Sequence, residues 1–544
     1  MILPKVDAVI IGSGAGGGIA AHVLSLAGKH VALLERGRNQ LFSETRHDEL
    51  RSQRTTVLGN AFGPDDKSVR LVKLGDATQF REVRASDGSF GNVAMCVGGG
   101  TKSYGAMAWR FLPKDFKMRS TYGAPEGSSL EDWPISYGDL EPYYERAEYA
   151  IGVSGARGAN AFEGPRKRDY PMPPLPYNKE ALKLEAAAKG LGWHPFPIPM
   201  AINSVTYDGR PACIRCPFCV GFACEVRAKG STADTVIPKA IATGHCELRT
   251  ECVATELLTD AGGRATGVVY IKGGVRYEQP AKVVVVSCSA IESARLLLNS
   301  KSKVFPDGLG NHNGFVGKNL QSHAYAGAYG YFEDEAWDGL GPAACIAMCD
   351  FNHGNGGYRG GAMLANEFIR LPYLFARSGH PPKTAAWGRE HKARQKRFYK
   401  RSIAVQGPVQ EMPVFTNRIE LDLSRKDAFG MPLVRMTGKR HEEDLLTARF
   451  MAEKAEALLR AAGAIETFLK LPGTATSFGQ HQAGTCRMGS DAKTSVTNSY
   501  GQLHSVDNVF VVDGSLHVTN GGFNPSLTIQ AVAFRAAEHI ARSF

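Results

Sequence analysis

The sequence contains no long hydrophobic run, and no aliphatic stretch in its 544 residues exceeds Val283 to Val286. A membrane span needs ~18–20 apolar residues, so no transmembrane helix is expected. The opening Met-Ile-Leu-Pro-Lys-Val-Asp lacks a basic region followed by an apolar core and a cleavage site. No signal peptide is read, and a cytoplasmic protein is expected, with export alongside a partner subunit still compatible. No internal repeat is present, and no nucleic-acid motif accompanies the basic residues, so nucleic acid is not an expected partner. A disulfide framework is also missing. The cysteines number eleven, an odd count in a chain too long to need staples, which points to a reducing compartment or a metal site.

What remains is ordinary globular composition, 43% hydrophobic and 22% charged, which excludes disordered, collagen-like and coiled-coil chains. At ~150 residues per domain the length suggests three or four domain-sized masses. The net charge of +11 favours an anionic partner or aids solubility, and by itself selects neither. Glycine is abundant, 61 residues, which calls for close backbone approach to some ligand.

The first forty residues indicate which ligand. Val6 to Ile11 is an apolar run without polar alternation, as in a parallel strand buried on both faces. It ends in Gly12-Ser-Gly14-Ala-Gly-Gly17, followed by a helix expected over Ile19 to Ala27 and a second strand over His30 to Leu34. In such a unit Gly12 makes the tight turn, Gly14 admits a pyrophosphate to the backbone, and Gly17 lets helix and strand touch. The helix N-terminus favours the phosphates, and Glu35 stands where an acidic group meets ribose hydroxyls. Dinucleotide binding follows, with NAD and FAD both open at this point.

Further along, Asn92 to Tyr104 is a second glycine cluster, where backbone could approach a flat ring. A helix is expected from Asp139 or Glu141, another over 180 to 191, and a basic connector over Gly164 to Pro176. Ala281 to Ser287 reads as a buried strand followed by a helix over Ala290 to Leu298. Short strands are expected around Arg418 to Leu423 and Pro432 to Met436, and a helix over Glu442 to Ala462. Residues 380 to 401 carry eight lysines and arginines, read as a solvated face with contact to an acidic redox partner or a membrane surface as alternatives. Near the end stand His481-Gln-Ala-Gly484-Thr485, the strand Asn508 to Asp513, and Asn520 to Thr528, where Asn524 fits a helix cap and Pro525 the first helical position.

Taken together these segments resemble the glucose-methanol-choline oxidoreductases, a family of FAD enzymes. The likeness runs through Gly12 to Gly37, Gly98 to Arg110, Trp133 to Tyr144, Gly308 to Asn311 with Val316-Gly317, and both C-terminal motifs. It implies an α/β, Rossmann-like, doubly wound FAD-binding domain assembled from residues 1–150, 225–320 and 475–544. The remainder, 151–224 and 321–474, would form an α+β substrate domain with an antiparallel sheet and connecting segments. The resemblance assigns the cofactor to Gly12, Gly14, Gly17, Glu35, Arg36, Gly98, Gly99, Thr101, Tyr104, Gly105, Ala106, Met107, Val253, Asp513, Gly514, Asn524, Pro525 and Thr528. It places His481 as the base beside flavin N5 and Asn524 as the group that orients the alcohol.

Some members attach FAD through a histidine in the first glycine-cluster loop, whereas Thr101 to Tyr104 offers none, so non-covalent FAD is expected. The expected reaction is oxidation of an alcohol or sugar hydroxyl, with electrons passing to an external acceptor or O2. The dehydrogenase reading is preferred, and a redox partner protein or subunit is compatible with it. A non-catalytic electron-transfer flavoprotein and an NAD-dependent dehydrogenase are the alternatives. Cys213-x2-Cys216-x2-Cys219-x4-Cys224 approaches iron-sulfur spacing, with free thiols as the level alternative and zinc, for which such short steps are less typical, or a disulfide behind both.

Overall fold

The computed structural model describes residues 1–54, 61–64, 68–91, 94–342, 344–366, 371–476 and 479–544. Asn92 and Val93, at the start of the second glycine cluster, lie outside them. Val6–Ile11 sits parallel between Val31–Leu34 and the second half of the long strand Val275–Val286. Cys246–Arg249 extends the sheet on one side and Val509–Val511 on the other, both parallel. The first half of Val275–Val286 turns to antiparallel pairing with Ala265–Lys272, which in turn pairs with Val253–Thr259. The sheet thus has seven strands, parallel where it is buried and antiparallel at one flank.

The helix after the first strand runs Ala15–Leu26, starting earlier than the Ile19 boundary read from the sequence. Its first turn is built from glycines because nothing larger fits. A Cβ on Gly17 would stand 1.9 Å from the Gly12 carbonyl oxygen, and one on Gly16 1.8 Å from that of Val512. Glycine weakens a helix by about 1 kcal/mol relative to alanine, a cost accepted here to seat helix on strand. The last helix, Ser526–Ser543, packs against Ala15–Leu26 and against Tyr137–Ile151. The latter begins before the predicted Asp139, because the side chains of Ser136 and Asp139 cap each other's backbone N–H groups.

A six-stranded antiparallel sheet stands beside this layer, centred on His323–Tyr331 and Ser402–Gln410, with Glu466–Lys470 at one edge and Phe196–Pro197 at the other. Glu442–Ala461 covers it. A third sheet joins Arg418–Lys426 and Pro432–Gly438 to Val69–Leu74 and Arg81–Arg84. Within the basic stretch, Arg389–Phe398 is a helix whose buried residue is Phe398, and Arg394 and Arg397 pair with Glu466 and Glu333. Among the described residues no helix is long and apolar enough to cross a membrane.

Candidate active site

Four parallel strands end at one cleft, which is lined by Ile11, Glu35, Ser287 and Asp513 where those strands stop. It holds about 1790 Å³ of empty space, open solvent included. Carboxyl ends of parallel strands are where open α/β sheets bind ligands. Of the residues assigned to the cofactor, Gly12, Gly14, Glu35, Arg36, Gly99, Thr101, Tyr104, Gly105, Ala106, Met107, Val253, Asp513, Gly514, Asn524 and Pro525 line this cleft.

Three do not. Gly17 is spent on the helix–strand contact described above. At Gly98 a Cβ would meet Ser231 Oγ at 2.8 Å and Ala233 Cβ at 2.9 Å, so its role is to seat the loop on its neighbours. Thr528 is buried beneath Tyr144, whose hydroxyl lies 2.8 Å from Thr528 Oγ1.

The donor set fits an anionic dinucleotide. Gly12 has φ +96°, and a side chain there would strike the Ser287 carbonyl at 2.2 Å. Gly14 precedes the helix with no side-chain cap and with open space where a Cβ would stand, leaving the helical N–H groups to the cleft. Ser287 Oγ and Ser289 Oγ line the same wall, buried and without a hydrogen-bond partner. Such hydroxyls call for a ligand's polar atoms.

The carboxylates of this wall are occupied from within. Ser13 donates from both N–H (3.1 Å) and Oγ (2.6 Å) to Glu35 Oε2, and Gly37 N–H donates to Oε1 at 2.8 Å. Glu35 therefore braces the glycine turn, whatever it adds toward a ribose. Burial pushes its pKa upward. Asp513 accepts from Ser289 N–H, Ser293 Oγ, and Ser515 N–H and Oγ.

His481 and Asn524 meet elsewhere along the cleft. Asn524 Nδ2 lies 3.3 Å from His481 Nε2 and 3.3 Å from the Tyr325 hydroxyl. Proton positions follow from two neighbours whose roles cannot change. An indole N–H only donates, so Trp109 Nε1 at 3.1 Å makes Asn524 Oδ1 the acceptor and turns its Nδ2 donor toward His481. A carbonyl only accepts, so Gly521 O at 2.7 Å holds the proton of neutral His323 on Nε2. His323 Nδ1 is then an acceptor, and His481 Nδ1, 2.8 Å away, donates to it. Both arguments give His481 a proton on Nδ1 and a lone pair on Nε2, which faces the Asn524 Nδ2 donor.

Burial, reinforced by the neighbouring His323 and Arg54, holds the His481 pKa well below the usual histidine value, so the ring is neutral. Burial likewise takes His323 down to about 4. The His481 backbone has φ +61°, a left-handed conformation uncommon for a side-chain-bearing residue, and Asn520 Nδ2 anchors its carbonyl at 2.7 Å. Strain of this kind persists only where the surroundings enforce it.

Asn524 does not cap the last helix. Pro525 occupies the boundary without a side-chain cap, because the Asn524 amide is turned to Trp109, Tyr325 and His481. Competition between capping and chemistry does not arise.

Sequence reasoning missed His323, Tyr325, Trp109 and Arg54 as site residues. The signal for the first two was present: His-Ala-Tyr on one strand places both on the same face.

Among the described residues no group of three or more histidine, cysteine or acidic side chains is arranged to hold a metal ion. Cys213, Cys216, Cys219 and Cys224 are free, and burial raises the thiols of the first two and pushes Cys219 up to about 12. Lys229 occupies the centre of the turn, donating to the carbonyls of Tyr104, Cys219 and Phe222 at 2.9, 2.8 and 2.7 Å. The turn is thus organised by an ammonium and backbone oxygens, and the iron-sulfur and zinc readings are not supported.

The GMC oxidoreductase profiles match residues 134–325 and 413–533, and the chain belongs to this family of oxidoreductases. It is 33% identical to a 2-methyl-1,2-propanediol dehydrogenase from Mycolicibacterium austroafricanum, over 99% of this chain and 96% of that protein. It is 32% identical to the 6'''-hydroxyparomomycin C oxidase of Streptomyces lividus, over 98% of this chain and 91% of the relative. Pyridoxine 4-oxidase from Mesorbium loti shares the fold, with a TM-score of 0.66 at 16% identity over 98% and 99% of the two chains.

Proposed function

We propose that this chain binds FAD non-covalently in the strand-end cleft and oxidises a CH–OH group to a carbonyl. The observation that carries the reading is the fixed tautomer of His481, which turns a neutral imidazole lone pair toward the cleft beside an amide and a phenol. Relatives named for an alcohol and for an aminoglycoside as substrates support the CH–OH class.

The bound flavin supplies the acceptor for the hydride that leaves the carbinol carbon. Proton removal belongs to the chain's own residues. His481 Nε2 accepts the hydroxyl proton, and the resulting charge on oxygen is met by the Asn524 Nδ2 donor and the Tyr325 hydroxyl. The imidazole stays in register because His323, anchored on Gly521, accepts from its far nitrogen. The low basicity of His481 keeps it unprotonated and ready. The Gly12–Gly17 turn and the open N-terminus of Ala15–Leu26 would hold the pyrophosphate, and the absence of histidine in Thr101 to Tyr104 leaves the cofactor dissociable.

An anaerobic panel of alcohols, polyols and sugars mixed with the yellow protein tests this reading. Bleaching of the flavin by at least one CH–OH donor is expected, and release of the cofactor into an acid supernatant. Protein that purifies without flavin, or flavin that no donor bleaches, would defeat it. Admitting air to the bleached sample reads the acceptor: rapid recolouring identifies an oxidase, slow recolouring a dehydrogenase.

A further inference from the structure

Among the described residues the reaction corner contains a cation with no counter-ion. Arg54 lines the same cleft as His481, Tyr325 and Asn524, and its field acts on both His481 and Tyr325. Its Nε is shut off from solvent and has no hydrogen-bond partner. Among the described residues no carboxylate reaches it, and the acids lining the cleft are already engaged. Glu35 is held by Ser13 and Gly37, Asp513 by three serines, and Glu292 by Arg36, Arg70 and Arg295. The segment that presents Arg54 is itself anchored, since its N–H donates to the Gly221 carbonyl at 2.6 Å and Gln53 packs over Gly221.

A guanidinium withdrawn from water with an unmet donor is costly unless an anion completes it. We propose that Arg54 is a specificity residue, and that the substrate of this enzyme is an alcohol bearing a carboxylate, a hydroxy acid or sugar acid, whose anion Arg54 receives. The planar fork of arginine suits a carboxylate, to which Nε and a terminal nitrogen donate side by side.

The assignment deepens the alcohol-oxidation reading and adds a consequence for it. Arg54 disfavours a positive charge on His481, and a bound carboxylate cancels that field. The base therefore gains its full proton affinity only when the acidic substrate is seated, so a neutral alcohol is disfavoured in binding and again in proton removal.

The test is calorimetric titration of the purified protein with sodium acetate, sodium gluconate, the neutral polyol glucitol and inorganic phosphate. It reads binding and needs no turnover, so its outcome is separate from that of the bleaching panel. Wild-type protein is expected to take up gluconate about tenfold or more tightly than glucitol, to bind acetate measurably, and to lose both as salt rises. Arg54→Gln should bring the gluconate-to-glucitol ratio close to one, and Arg54→Lys, which keeps charge without the fork, should leave an intermediate ratio. Because removing an unpaired buried charge relieves a cost, Arg54→Gln is not expected to melt below wild type. Wild-type protein that binds neither carboxylate overturns the assignment. So does a preference that survives Arg54→Gln, or phosphate bound more tightly than either carboxylate.

Discussion

The two parts of the cleft are built on opposite plans. Around Gly12, Ser13 and Glu35 the wall is mostly backbone, and its carboxylates are satisfied by the protein's own N–H and hydroxyl groups. Around His481 the wall is side chains drawn from Arg54, Trp109, His323, Tyr325 and Asn524, which come from four distant stretches of the chain. The first plan tolerates no added atom at Gly12 but is indifferent to chemistry. The second has room, and its function rests on where individual protons sit. Binding a common cofactor needs the former, and choosing and activating one substrate needs the latter.

The comparison predicts different kinds of failure. The largest effect is expected from Gly12→Val, whose side chain would meet the Ser287 carbonyl at 2.2 Å on a backbone at φ +96°. The protein should purify colourless or fail to fold, read by the flavin absorbance per chain. His481→Gln should instead stay yellow while anaerobic flavin reduction slows by ~10²–10⁴, the usual loss on removing a general base. If the colour goes with the rate, the two plans are not separate.

His323→Phe removes the acceptor that fixes the His481 tautomer together with the bond to the Gly521 carbonyl, so a slowing of roughly 10²-fold is expected with cofactor content unchanged. His323→Asn, whose amide oxygen can accept the same proton, should recover part of the rate, which a merely structural role would not explain.

Stability should respond to acid through buried histidines, His323 and, beside Trp133 and Phe111, His517. His323 and His517 are buried and neutral, with pKa lowered from 6.5 to about 4, so the unfolded chain binds more protons than the folded one between these values. Stability is full above pH 6.5 and is lost as pH falls toward 4, on the order of 3 kcal/mol for each ring. Melting temperatures from pH 7 to 4.5 check this, with His517→Asn expected to flatten the profile.

The smallest effect is a displacement of a pH limb. Arg54 lowers the basicity of His481, so Arg54→Gln should move the acid limb of kcat/KM to higher pH, and an unmoved limb would detach Arg54 from the base.

Legibility in the sequence divides along the same line. The strand-turn-helix-strand unit could be read because its apolar runs and glycine spacing lie within forty consecutive residues, even though the carbonyls that exclude a side chain at Gly12 and Gly16 belong to the distant Ser287 and Val512. Its one misreading, the helix start at Ile19, came from treating Gly16 and Gly17 as loop when close packing makes them helix. His481 and Asn524 were reached through resemblance, since nothing in their neighbourhoods distinguishes a base from a loop histidine. Their partners could not be reached so. His323–Tyr331 is rich in alanine and glycine, residues depleted in strands, and its pairing with Ser402–Gln410 is fixed by tertiary contacts. The cysteines show a limit of another kind: their spacing suggested a cluster, while the turn that carries them is tied by the Lys229 ammonium, a contact that no spacing rule contains.

The chain from Gly521 through His323, His481 and Asn524 to Trp109 is terminated at each end by a group with one immutable role. Such a chain is a cul-de-sac for charge. What His481 takes up cannot be handed inward, because a cation on His323 is too costly and the carbonyl behind it has nothing to release. Among the described residues of this chain the exit left is the mouth of the cleft, so under the proposed reaction resetting the imidazole for another turnover is tied to the departure of product and the return of water.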